Sequence, residues 1–245
     1  MTATRETTIN GRNMIFKELN ERVRSAKGDI KIKNCSGQRF IGSGESGKII
    51  DIEGTPGNAL GAYLDGATII VHGNAQDATG DTMNCGKIIV HGSCGDATGY
   101  AMRGGEIYIK GDVGYRAGIH MKQYKDKIPV IMIGGKGGSF LAEYQAGGII
   151  VVLGLGCDEK DLLGYFCGTG MHGGKVLIRA DKITAKLPEQ VCIGDAAEAD
   201  MAQIAPFIKN FSEYFGVSED EVYSKHFFAL TPNTKNPYKQ MYVQN

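Results

Sequence analysis

The stretch GSCGDATGYAMRGGEIYIKGDVGYRAGIHM, residues 92–121, contains one pattern twice. Gly92, Gly95, Gly99 and Met102 recur 19 residues later as Gly111, Gly114, Gly118 and Met121. Between the copies, Ile107 and Ile109 alternate with Tyr108 in the period-two manner of a β-strand. Working outward, glycines that close β-branched runs stand at Gly54, Gly73, Gly92 and Gly111, spaced 19 residues apart. They continue at Gly134 and Gly154 toward a last run ending near Ala180. The copies at Gly54-Gly57-Gly61-Leu64 and Gly73-Gln76-Gly80-Met83 match with single substitutions. A fixed period in this range marks a solenoid, because each repeat is a unit that can bury its apolar side only against its neighbours.

Counting back from each closing glycine, the second and fourth positions are Ile52/Ile50, Val71/Ile69, Val90/Ile88, Ile109/Ile107, Met132/Val130, Val152/Ile150 and Ile178/Val176. Each pair is predicted to face inward from one strand. Stacked like on like, Met83, Met102 and Met121 form an interior ladder whose flexible thioethers fill gaps. The expected fold is an all-β solenoid, a right-handed parallel β-helix of about seven coils, with strands roughly 4.8 Å apart. A left-handed helix needs a six-residue subrepeat that this chain lacks. Insertions near Lys122–Asp126 and Asp158–Asp161 account for the irregular intervals. Gly54, Gly73, Gly92, Gly95, Gly99, Gly111, Gly114 and Gly118 are structural glycines, serving positive φ at corners or close backbone approach.

The third position back should face outward, and it reads Asp51, Ile70, Ile89, Tyr108, Ile131, Val151, Leu177. So apolar a stripe needs a cover. Either the chain's own C-terminal helix lies across it, or Ile70, Ile89, Tyr108, Ile131 and Val151 form an interface with a partner subunit.

Three regions follow. Residues 1–40 form an N-terminal cap, with Ile15, Phe16, Leu19 and Val23 at helical spacing, a stop at Gly28 and a short strand over Asp29–Lys33. Residues 41–180 form the β-helix, and residues 181–245 a helical extension and tail. In the extension Ile204, Phe207, Ile208, Phe211 and Phe215 share a helix face that Pro206 starts or kinks, and Gly216 ends it. Ser218-Glu219-Asp220-Glu221 has the form of a capping box. The tail from Leu230 has two prolines and no periodicity, and reads as extended or held for a partner.

Glycine accounts for 36 of 245 residues, without collagen's every-third pattern. Lysine plus arginine equals aspartate plus glutamate at 27 each, so no net field draws nucleic acid or an anionic membrane. No apolar run is long enough for a membrane span and the start has no signal-like segment, so a cytoplasmic protein is expected. Six scattered cysteines fit a reducing compartment and offer neither a zinc nor an iron–sulfur spacing. His72 and His91 occupy equivalent places in adjacent coils and should stack, but their column, Glu53, His72, His91, Lys110, Ile133, is a poor ligand set. Asp77 and Asp96 are equivalent too, and a turn residue that bonds its own corner explains them better than a catalytic pair. Gly134-Gly135-Lys136-Gly137-Gly138 imitates a phosphate loop without the helix that would complete it. No catalytic, cofactor-binding or metal-binding residue is assigned.

The G-x-x-G-x-x-x-G turns with their Ile-x-Val strands resemble the GXGXG domain at the C-terminus of the glutamate synthase large subunit, over roughly residues 40–180. The two following helices and FFALTP, residues 227–232, are similar to that family's C-terminal extension. The same β-helix occurs in the β-helical component of formylmethanofuran dehydrogenase and in relatives such as N-methylglutamate synthase. The resemblance implies a structural role in nitrogen metabolism and glutamate biosynthesis, within a complex that makes glutamate from glutamine and 2-oxoglutarate. Residue 2 is Thr2 rather than the amidotransferase cysteine, and no barrel or cluster motif is present. The implied partners are therefore a glutaminase-type amidotransferase and an FMN-binding synthase, with FMN and iron–sulfur clusters on those subunits and no cofactor in this chain. The alternatives are a subunit of a formylmethanofuran-dehydrogenase-like or N-methylglutamate-synthase-like complex, and an independent β-helix enzyme acting on carbohydrate. Self-association into a homo-oligomer is compatible with all of these.

Overall fold

The structure, a computed structural model, describes residues 6–233. Thr2 and the tail from residue 234 onward lie outside them. The chain is a parallel β-solenoid. Strand β1 (Thr7–Asn10) is followed by helix α1 (Phe16–Ser25), then by β2 (Ile30–Ser36), β3 (Ile49–Thr55), β4 (Asp65–Val71), β5 (Cys85–Val90) and β6 (Glu106–Ile109). Next come β7 (Val130–Ile133), β8 (Ala146–Val152) and β9 (Gly173–Arg179). Each pairs in parallel with the next, in sequence order. β2 thus adds a level below the predicted coils, and β1 pairs beneath it.

The ladder runs Ile30, Ile50, Ile69, Ile88, Ile107, Ile131, Ile150, Val176, all buried in one core with Leu64, Met83, Met102 and Met121. In β7 this corrects the expected register. Ile107 pairs with Ile131 and Tyr108 with Met132, so Ile131 and Ile133 point inward while Val130 and Met132 point outward. The glycine equivalent to Gly111 is Gly135, whose N–H donates to the Gly111 carbonyl at 2.9 Å, and not Gly134. Two adjacent glycines after an insertion offer two registers, and a one-residue slip exchanges the faces.

The rest of each coil is a wide turn in which alternate residues adopt left-handed backbone. In one coil these are Ala59 (φ 61°), Gly61 (φ 63°) and Tyr63 (φ 58°); in another, Arg116 (φ 59°), Gly118 (φ 69°) and His120 (φ 56°). Their N–H groups alternate between the coils on either side: Ala59 donates to Asp77 O at 2.9 Å, Gly61 to Ile41 O at 2.8 Å and Tyr63 to Asp81 O at 2.8 Å. The left-handed residues that are not glycine cost about 1 kcal/mol each, offset by hydrogen bonds the turn could not otherwise make. At Gly118 a Cβ would also strike Ile150 Cδ1 of the core.

The equivalent Asp77 and Asp96 do not bond their own corners, contrary to the expectation from the sequence. Each reaches the next coil. Asp77 Oδ1 accepts from Asp96 N–H at 2.9 Å, and Asp96 Oδ1 from Tyr115 N–H at 2.8 Å. Asn74 and Asp112 do likewise toward Ser93 and Lys136 at 2.9 Å each. This explains several of the structural glycines. Gly92, Gly95 and Gly114 do not have positive φ; a Cβ there would overlap the Asn74, Asp77 and Asp96 side-chain oxygens below. Asp96→Ala is expected to cost about 1–2 kcal/mol. Asp96→Asn should restore most of it, since an amide oxygen also accepts. Urea unfolding measures both, and equal losses would refute the ladder's contribution.

Beyond the stack lie β10 (Val191–Asp195), helix α2 (Glu198–Phe215), helix α3 (Glu219–Tyr223) and β11 (Phe227–Pro232). Ser218 Oγ caps α3 by accepting from Asp220 N–H, and Gly216 ends α2 with φ 66°. Pro206 sits inside α2 on its exposed side, and the helix starts at Glu198, well before Ile204. β11 is a strand where an extended tail was expected: it pairs antiparallel with both β9 and β10, closing the sheet in the order β9-β11-β10.

Candidate functional site

The outward stripe of the sheet is Ile70, Ile89, Tyr108, Met132, Val151 and Leu177. It packs against Ile204, Ile208, Phe211 and Phe215 of α2. A helix of 18 residues is about 27 Å long, enough to cross five or six strands at their usual spacing. Tyr108 anchors the cover. Its hydroxyl donates to Glu106 Oε2 at 2.6 Å and accepts from Asn210 Nδ2 at 3.1 Å, and burial pushes its pKa far above the ordinary phenol value. Ile89, Tyr108 and Val151 are buried beneath the chain's own helix, Ile70 is partly buried at its margin, and Ile131 lies in the interior. The cover is thus intramolecular, and these residues are not a free face for a partner.

His72 and His91 do stack, with ring centroids 5.3 Å apart. His72 Nε2 lies 2.8 Å from Asp51 Oδ2, and Phe215 meets His91 edge-on at 5.2 Å. Burial first, then the nearby His72 and Lys110, hold the His91 pKa below its ordinary value. Among the described residues no group of three His, Cys, Asp or Glu side chains is placed to hold a metal ion. The thiols of Cys94 and Cys167 are buried and pushed up to about 12, which makes them inert packing groups.

Among the described residues the turn face lies uncovered, and sequence reasoning missed it. Left-handed residues two before and two after the central position of the turn form two columns: Phe40, Arg116, Phe140 and Phe166, with Ala59, Ala78 and Ala97 between the first two, and Tyr63, His120 and Tyr144, with Thr82 and Ala101 between the first two. His120 stacks on Tyr144 at 5.3 Å with an interplanar angle of 9°, and Tyr100 meets His120 edge-on at 6.0 Å. Phe140 stacks on Phe166 at 5.0 Å, beneath the Arg116 guanidinium at 5.0 Å. Arg116 is fixed by Glu143 Oε2 at 2.9 Å. Tyr165, at 78% exposure, and Phe166, at 56%, edge a groove of about 570 Å³ completed by Lys186, Leu187 and Pro188. The signal was available in the repeat: the aromatic residues fall at fixed offsets from Gly118 and its equivalents.

The profile of the GXGXG motif family matches residues 17–235. The chain belongs to the GXGXG family. A relative of this GXGXG chain from Methanocaldococcus jannaschii, the uncharacterized protein MJ1350, is 42% identical over 257 residues, covering 99% of this chain and 98% of its own length. The fold is also similar to a chain in the X-ray structure of the formyltransferase/hydrolase complex FhcABCD from Methylorubrum extorquens in complex with methylofuran. There the TM-score is 0.62 at 19% identity, over 90% of this GXGXG chain and 88% of the other. At that identity the match speaks for the shared solenoid. No helix among the described residues is long and apolar enough to cross a membrane.

Proposed function

We propose that this GXGXG chain is a non-catalytic assembly subunit of a multi-subunit oxidoreductase of the glutamate-synthase type. Glutamine hydrolysis and the FMN- and iron–sulfur-dependent synthesis of glutamate then belong to partner subunits. The observation that carries this reading is the turn face. Exposed Tyr63, Tyr115, Tyr144, Tyr165 and Phe166 stand on a rigid lattice with an ordered arginine, the composition enriched at protein interfaces and their hot spots. A complex of the formylmethanofuran-dehydrogenase type is the second reading, favoured by the fold match to a chain of a formyltransferase/hydrolase complex.

Affinity capture of the tagged chain from its native cell, followed by mass spectrometry, tests both. Amidotransferase and flavin-containing partners are expected; molybdenum or tungsten proteins would move the assignment to the second reading. A chain that purifies alone with its own flavin would overturn the proposal. Tyr165→Ala combined with Phe166→Ala should weaken capture about 30-fold, equivalent to a hot-spot loss of about 2 kcal/mol. Thermal stability should stay nearly unchanged, because both side chains are exposed.

A further inference from the structure

Among the described residues the last strand of the sheet, β10, has an open edge. Ala196 N–H donates to Phe227 O at 2.9 Å and Asn233 N–H to Gln190 O at 2.8 Å. In the antiparallel register with β11, these bonds make Cys192 and Gly194 the residues whose backbone groups face β11. The N–H and C=O of Ile193, the N–H and C=O of Asp195, and the C=O of Val191 therefore point away from the sheet. The Val191 N–H is already satisfied by Pro188 O at 3.0 Å.

Among the described residues this edge carries little protection beyond the terminal charge of Asp195. Val191-Cys192-Ile193-Gly194 contains no charge and no proline, Cys192 to Asp195 are exposed, and a Cβ at Gly194 would meet open space. The opposite edge strand, β1, is the polar Thr7-Thr8-Ile9-Asn10. Ile193 sits opposite buried Leu230, so its side chain extends the interior row and ends it at 45% exposure.

We infer that β10 is a self-association edge, pairing antiparallel with β10 of a second copy of this chain about a twofold axis at Ile193. In that register Ile193 exchanges both backbone bonds with its counterpart, and each Asp195 N–H reaches the Val191 carbonyl of the other copy. The paired Ile193 side chains continue the interior row across the axis. Each Asp195 carboxylate, held 3.0 Å from His226 Nε2, lies opposite an apolar Val191. A parallel pairing of the same two edges needs a twofold along the strands, which would turn one Ile193 to the opposite face and break the interior row.

Sedimentation velocity on the isolated full chain, over about 1–100 µM, tests this, because a dimer's population depends on concentration. The expected mass is twice 26.3 kDa at the upper end. Ile193→Pro removes an N–H that has no partner among the described residues, and should abolish the dimer with the circular dichroism spectrum unchanged. Ile193→Lys is the second variant should the proline perturb folding. Hydrogen exchange adds a residue-level readout: the Ile193 and Asp195 amides should be protected in the dimer and exchange freely in the variants. A monomer at every concentration, or a dimer that survives both substitutions, overturns the inference. If the monomer instead loses partner capture on Ile193→Lys, the edge belongs to a partner's strand. No partner subunit enters the self-association measurement, so its failure is distinct from failure of the assembly role.

Discussion

Arg179→Met is expected to destabilise the chain by about 3 kcal/mol, since buried carbonyls that lose a charged donor are costly. For a domain of this size that lowers the unfolding midpoint by roughly 6–12 °C. Arg179 is 6% exposed at the end of β9. Its Nε donates to Val222 O at 2.8 Å, Nη1 to Leu153 O at 3.1 Å, and Nη2 to Glu221 O at 2.8 Å and Ser224 Oγ at 3.0 Å. One guanidinium thus satisfies carbonyls at the end of α3 and on the preceding coil. Methionine keeps the stem's packing and removes every donor. Arg179→Lys should recover little, because an ammonium is a point donor and the acceptors diverge. Calorimetry that found a shift under about 2 °C would sink this account of how the extension is fastened.

Phe211→Ala is expected to cost more, about 3–5 kcal/mol, the range for removing a fully buried ring. Phe211 is buried where α2 crosses Gly134, 4.7 Å from the Phe215 ring and within reach of any Cβ placed at that glycine. Its loss uncouples the helix from Tyr108 and Val151 and bares the sheet stripe. Faster amide exchange throughout α2, with the coils still protected, is the predicted pattern. Uniform loss of protection would mean that the helix and solenoid unfold as one unit.

The solenoid was legible in the sequence because two signals agree: β-branched residues at period two and glycines at period 19. Where the signals separate, the register becomes ambiguous. Gly134-Gly135 follows the insertion near residues 122–126, and composition alone could not choose between them; only strand pairing fixes Met132 outward. The fastening strands β10 and β11 carry little local signal. VCIGD and FFALTP gain their strand character from pairing with each other and with β9, contacts distant in sequence. The spacing of the candidate site's aromatic residues was legible, but its backbone conformation was hidden for a related reason. Ala59, Arg116 and Tyr144 have no intrinsic taste for left-handed backbone, so the lattice of neighbouring coils imposes it. The cover over the stripe, by contrast, was one of two readings that the pattern of Ile204 to Phe215 had already raised.

The bridges from a side-chain oxygen to the backbone N–H of another coil have a direction. Asp29 serves Ile49, Asn74 serves Ser93, Asp77 serves Asp96, Ser93 serves Asp112, Asp96 serves Tyr115, Asp112 serves Lys136 and Ser139 serves Tyr165. In each the earlier residue accepts and the later backbone donates. A finished coil consequently presents a row of oxygens that water can solvate while the next coil is still absent. The N–H groups that these side chains serve wait on the preceding coil, whereas turn N–H groups such as those of Ala59 and Tyr63 wait on the following one. Each turn is therefore completed by both of its neighbours, and only the side-chain oxygens impose a polarity, toward the coil that follows.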